Sequence, residues 1–79
     1  MVIITPQMLA VYLKDYRKQK NLTQAEIANQ VGLRQATISD FEKNPNKVTI
    51  ETFFKIVTAL GLEIHLLPKS ENEEEVDVW

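Results

Sequence analysis

The stretch from Thr23 to Glu42, TQAEIANQVGLRQATISDFE, constrains the fold of this chain more than any other. Thr23 followed three residues later by Glu26 is a capping box, in which the hydroxyl accepts from the amide of residue 26 and the carboxylate reaches back to the amide of residue 23. A helix therefore starts at Gln24. Ile27, Ala28 and Val31 form a narrow apolar stripe, Gln24, Asn29 and Gln30 face outward, and Gly32 supplies the positive φ that ends a helix. After a turn at Gly32-Leu33, a second helix is expected from Arg34. It carries Ile38 and Phe41 inward at i and i+3, while Arg34, Gln35, Thr37 and Ser39 keep the opposite side polar.

Two short helices joined by a sharp turn make a helix-turn-helix, whose second helix enters the major groove of DNA with its N-terminal residues at base edges. The competing reading is an ordinary helical hairpin with a glycine cap, since caps of either kind are common taken singly. Several spaced positions agree here, however. They resemble the lambda-repressor and Cro-like family: Gln24 at the head of the first helix, small Ala28 where the helices cross, Gly32 in the turn, and Ile38 and Phe41 as core anchors.

Seventy-nine residues make one domain, near the size at which oligomerisation commonly adds stability. With no cysteine there is no disulfide framework, which fits a reducing cytoplasm. No apolar run is long enough to span a bilayer, and Met1-Val2-Ile3-Ile4 lacks the basic flank of a signal peptide. The expectation is a soluble cytoplasmic, nucleoid-associated protein with no membrane partner. The net charge of −2 divides unevenly along the chain. Residues 1–68 are mildly basic at +2, and residues 69–79, with Lys69 against Glu71, Glu73, Glu74, Glu75 and Asp77, hold −4. A mildly basic folded part is compatible with phosphate binding if its cations share a face. One histidine, no cysteine and no glycine-rich loop leave no nucleophile with its base, no zinc ligand set and no phosphate cradle. His65 lies in an apolar alternating segment, where a lone histidine is commonly a packed or surface residue. Neither catalysis nor a metal or cofactor is expected.

Thr5-Pro6 reads as a helix start, a hydroxyl cap followed by proline at the first helical position. Leu9, Tyr12, Leu13 and Tyr16 give that helix one buried face. It ends near Gln19, with Arg17, Lys18 and Lys20 in or just beyond its last turn, either complementing the helix dipole or meeting a phosphate. Beyond the central motif, Lys43-Asn44-Pro45-Asn46-Lys47 reads as a loop whose two lysines can flank a phosphate backbone. Thr49 then caps a fourth helix with Ile50, Phe53, Phe54, Val57 and Leu60 as its apolar stripe, Ile56 beside it widening the buried face, and Gly61 as the stop. Leu62-Glu63-Ile64-His65-Leu66 alternates with period two and ends at Pro68, the pattern of a strand. Only Met1–Ile4 offers a second strand-like piece within the chain. A lone edge would leave unpaired backbone groups, so Leu62, Ile64 and Leu66 are expected to lie in a strand paired with its copy across a homodimer two-fold. The fold class is then mainly α, a four-helix domain over residues 1–68 with a C-terminal β-strand shared by two protomers. Residues 69–79 are polar and acidic, expected to be disordered in isolation, yet they end in Val76-Asp77-Val78-Trp79.

Within the broad family the chain resembles the HipB antitoxins, whose partner is the HipA toxin, a serine/threonine kinase. The resemblance lies in Gln35-Ala36-Thr37-Ile38-Ser39, in Phe41-Glu42-x-Asn44-Pro45, in Thr52-Phe53-Phe54-Lys55-Ile56, in the strand after Gly61 and in a tail ending in tryptophan. It implies a dimer that binds an inverted-repeat operator of its own toxin-antitoxin operon, represses it, and holds the kinase inactive in the same complex. Carried over by position, it implies base reading by Arg34, Gln35, Ala36 and Ser39 and phosphate contacts by Gln24, Thr37, Lys43 and Lys47. These residue types suit the chemistry, glutamine pairing with adenine, arginine with guanine and an alanine methyl with the thymine methyl. Trp79 is expected to anchor the tail on the toxin, since an indole filling a pocket is a common hot spot. The alternative is a free-standing Cro/C1-like regulator without a toxin partner, its tail a solubilising extension.

Overall fold

The computed structural model describes residues 2–69, and Trp79 with the rest of residues 70–79 lies outside them. Within this span the order is helix α1 (Pro6–Gln19), α2 (Gln24–Gln30), α3 (Gln35–Lys43), a single 3₁₀ turn (Pro45–Lys47) and α4 (Ile50–Ala59). Three of the four α-helix starts are closed by a threonine side chain. Thr5 Oγ1 accepts from the Met8 N–H at 3.1 Å and Thr49 Oγ1 from the Thr52 N–H at 3.1 Å. At Thr23 the box is reciprocal, with Glu26 N–H on the Thr23 hydroxyl at 3.1 Å and Thr23 N–H on the Glu26 carboxylate at 2.8 Å.

Helices α1, α2 and α4 end alike. A residue in the left-handed region follows each cap, Asn21 at φ 57°, Gly32 at 70° and Gly61 at 74°. The next amide then reaches back five residues, Leu22 to Arg17 O, Leu33 to Ala28 O and Leu62 to Val57 O, which satisfies carbonyls the helix leaves orphaned. An added Cβ at Gly32 would meet nothing within 4 Å. Gly32→Ala is therefore expected to cost only the backbone penalty of about 1–2 kcal/mol, measured as a lower urea midpoint at unchanged m-value.

The four helices close on one cluster to which each contributes: Ala10 and Leu13 from α1, Ile27 and Ala28 from α2, Ile38 and Phe41 from α3, and Ile56, Val57 and Ala59 from α4 with Leu60 just beyond it. Three details differ from the sequence reading. Arg34 is extended at φ −83°, ψ 147°, and is the cap of α3 rather than its first residue, so the helix starts at Gln35. The segment Lys43–Lys47 contains the 3₁₀ turn, with Pro45 buried at its first position, where a missing N–H costs nothing. On α4, Ile56, Val57 and Leu60 are buried as expected, but Ile50 and Phe54 are 72% and 49% exposed, so the face toward the core is turned away from those two. The strand expected over Leu62–Leu66 needs a second copy as its partner, and within this single chain no β-ladder forms among the described residues. Leu62 packs on the core, whereas Ile64, Leu66 and Leu67 stay exposed.

Candidate nucleic-acid interface

With Ile38 and Phe41 of α3 drawn into the core, the rest of that helix is left for solvent. Arg34, Gln35 and Ala36 are exposed at its head and Thr37 and Ser39 are half-buried behind them. Two depressions flank this ridge. One, between the end of α1 and the heads of α2 and α3, is lined by Arg17, Lys18, Gln24 and Gln35 among others. The second lies between α3 and the head of α4 and brings Thr37, Lys43 and Lys47 together with Thr49 and Thr52. Gln24, Gln35, Thr37, Lys43 and Lys47 thus border the ridge in two groups, while Arg34, Ala36 and Ser39 line neither depression.

A buried polar network underlies the first group. Arg17 is 8% exposed, the one charged residue among the buried described residues. Its guanidinium donates through Nε to Glu42 Oε2 at 2.7 Å, through Nη2 to Glu42 Oε1 at 3.1 Å and through Nη1 to Leu22 O at 2.8 Å. This is a bidentate pair with side chains 10% and 5% exposed. Glu42 Oε1 also accepts from Gln24 Nε2 at 2.9 Å, and Gln24 Oε1 accepts from Gln35 Nε2 at 3.1 Å. Burial pushes the Glu42 carboxyl up, but the hydrogen bonds from Arg17 and Gln24 and the positive charges of Arg17 and Lys14 outweigh it and hold the group below its ordinary value. Arg17 is therefore neither a dipole-complementing surface cation nor free to meet a phosphate, because its donors are turned into the fold. Gln24, expected on the phosphates, is half-buried and held between Glu42 and Gln35.

Sequence reasoning missed Glu42 as a site residue. A usable signal was present: Arg17 continues the spacing of buried Ala10 and Leu13, and Glu42 follows Ile38 by four, so two opposite charges sit on core-facing stripes. Leu62, Ile64 and Leu66 are far from the ridge in sequence. They line, with Ile3, Tyr12 and Phe53, an apolar groove. Trp79 lies outside the described residues. Among those residues no helix is long and apolar enough to cross a membrane, and no group of His, Asp and Glu side chains is placed to hold a metal ion.

Two crossed helices joined by a left-handed glycine, the second presenting a polar ridge, define a helix-turn-helix protein, and the helix-turn-helix family model matches residues 13–67. The antitoxin HipB of Escherichia coli K12 is 47% identical over 64 residues, covering 81% of this chain and 73% of that protein. The regulator SinR of Bacillus subtilis is more distant, 28% identical over 71 residues. Among solved structures, a HipB chain of the HipA-HipB-O2-O3 complex superposes with a TM-score of 0.87 at 43% identity, covering 89% of this chain and 99% of that one. A HipB-O4 20mer complex matches with a TM-score of 0.86 over the same shares. The chain belongs to the HipB family of antitoxins within the helix-turn-helix proteins.

Proposed function

We propose that this chain is a DNA-binding antitoxin: as a homodimer it binds an inverted-repeat operator, represses its own toxin-antitoxin operon, and neutralises a HipA-type serine/threonine kinase by forming a complex with it. The observation that carries this is the match over nearly the whole of a HipB chain that was solved together with HipA. The free-standing regulator is supported by the more distant relatives alone.

In this reading Arg34, Gln35, Ala36 and Ser39 read base edges from the ridge, while Thr37, Lys43 and Lys47 contact phosphates from the groove beside it and Gln24 does so from the other side, through the one amide N–H that it does not give to Glu42. Two ridges about 34 Å apart across a two-fold would read half-sites one helical turn apart. Base and phosphate contacts separate by experiment. Gln35→Ala is expected to cost on the order of 1–3 kcal/mol at the operator and to relax preference at one base pair per half-site. Lys43→Ala is expected to weaken all duplexes about equally and to make the salt dependence shallower. Titrations at several salt concentrations decide: a Gln35→Ala protein that loses operator and random-sequence affinity by one common factor does not read bases through that residue.

The tail carries the partner contact in this proposal. Glu73, Glu74, Glu75 and Asp77 steer it toward a basic surface and Trp79 fills a pocket there. Deleting residues 72–79 is expected to leave dimerisation and DNA affinity in place and to weaken kinase binding by ~2–4 kcal/mol. Calorimetry that finds equal affinity for the truncated and full chains would make the tail a passive extension.

A further inference from the structure

Four side chains from three helices form one unbroken run of hydrogen bonds from the buried interior to the head of the ridge, Arg17 to Glu42 to Gln24 to Gln35. A primary amide can sit either way round, oxygen and nitrogen exchanged, at almost no cost in shape. An ionised carboxylate accepts and never donates, so the group that Gln24 turns toward Glu42 has to be its NH₂. Its carbonyl oxygen is thereby turned to Gln35. Gln35 must answer with a donor, which leaves its own carbonyl and second N–H for whatever approaches the ridge. One acceptor and one donor, side by side and in fixed order, is the complement of the adenine N6 donor and N7 acceptor in the major groove. The other end of the run is fixed too. Both Glu42 oxygens accept from Arg17, and the Arg17 side chain is tied to the backbone at Leu22 O.

We infer that Glu42 is a positioning residue for base recognition: held by Arg17, it sets the amide polarity of Gln24 and through it that of Gln35, so that the ridge reaches DNA already in the order adenine requires. This rests on the reading of the chain as a sequence-specific DNA binder. It assigns a specificity role to a residue that lies behind the recognition surface. Preorganisation of this kind acts on discrimination more than on adhesion, because a free glutamine can still meet a wrong base by flipping its amide, and a fixed one cannot.

The test uses the full chain and a random duplex pool, sequenced after selection by wild type, Glu42→Gln, Gln35→Ala and the double variant Glu42→Gln with Gln35→Ala. In Glu42→Gln one accepting oxygen becomes an NH₂, and Gln24 no longer has a single allowed orientation. The expected result is that Glu42→Gln lowers preference about tenfold at the base pair that Gln35→Ala also flattens, leaves other positions as in wild type, and adds nothing in the double variant. A variant with both Arg17→Met and Glu42→Gln removes the buried charge left by Glu42→Gln alone and is expected to lose the same preference while keeping its helical circular dichroism. If wild type selects no sequence at all, the DNA-binding reading fails. If wild type selects a sequence and Glu42→Gln weakens every position evenly, or its effect adds fully to that of Gln35→Ala, Glu42 is a structural residue only and the inference is overturned.

Discussion

Replacing Glu42 by alanine while Arg17 stays in place is expected to lower the unfolding free energy by about 3–5 kcal/mol, the usual consequence of leaving a buried charge without its partner. The guanidinium would keep Leu22 O, but two of its three hydrogen bonds would be gone at a site where water has little access. Gln24 would lose the acceptor for its amide as well. For a domain this small the loss is a large fraction of a total stability of about 5–15 kcal/mol. Removing both charges is a different case, because it deletes the desolvation penalty together with the attraction. Arg17→Met combined with Glu42→Gln is expected to be far less damaging than Glu42→Ala alone. Urea unfolding of the two proteins measures the contrast, and equal losses would mean that the pair acts through packing rather than charge. The sign with pH follows from the lowered carboxyl. A group whose folded pKa lies below its ordinary 4.5 contributes fully above that value, and the contribution is lost as pH falls through the folded pKa. Glu26, lowered by its backbone and side-chain hydrogen bonds to Thr23, has the same sign, so acid sensitivity should be reduced but not abolished when Glu42 is neutralised.

What the sequence discloses about this fold is what a few neighbouring residues decide among themselves. The threonine caps at 5, 23 and 49 and the stops near Gln19, Gly32 and Gly61 each depend on partners three to five residues away, and all six were legible. The pair of Arg17 with Glu42 spans twenty-five positions and depends on how α1 lies against α3. Their stripe positions hint at it, but an arginine in a last turn and a glutamate near a C-terminus have ordinary surface explanations. The α4 face was misjudged for another reason. IETFFKIVTA is apolar on most sides, so periodicity alone does not show that Ile50 and Phe54 fall outside the face that Ile56 and Val57 bury. The ridge was legible as a set of residue types. That Gln24 faces Glu42 and Gln35 before it faces any ligand was not, because amide orientation is decided by the partner and not by spacing.

Introducing proline in turn at Ile64 and at His65 is expected to abolish the proposed homodimer in at least one of the two variants while leaving the helices folded. Residues Leu62–Lys69 continue no helix, and beyond Leu62 they give little to the core: Ile64 is 42% exposed and Leu66 90%. An alternating segment of this kind is an unfinished edge, with apolar side chains on one face and backbone groups that a matching strand would satisfy. In a two-stranded antiparallel ladder, neighbouring residues point their N–H groups to opposite sides, so one of positions 64 and 65 must donate to the partner. Proline has no N–H, and at the donating position it removes a bond from each symmetry-related strand at once. Testing both positions makes the outcome independent of the register. Sedimentation equilibrium reads the mass and circular dichroism confirms that α1 to α4 survive in the monomer. Operator affinity should fall with the dimer, since a single ridge engages one half-site and loses the gain from tethering two. If both proline variants sediment as undisturbed dimers, the protomers associate through another surface, and the exposed Val2, Ile4, Ile50 and Phe54 become the place to look.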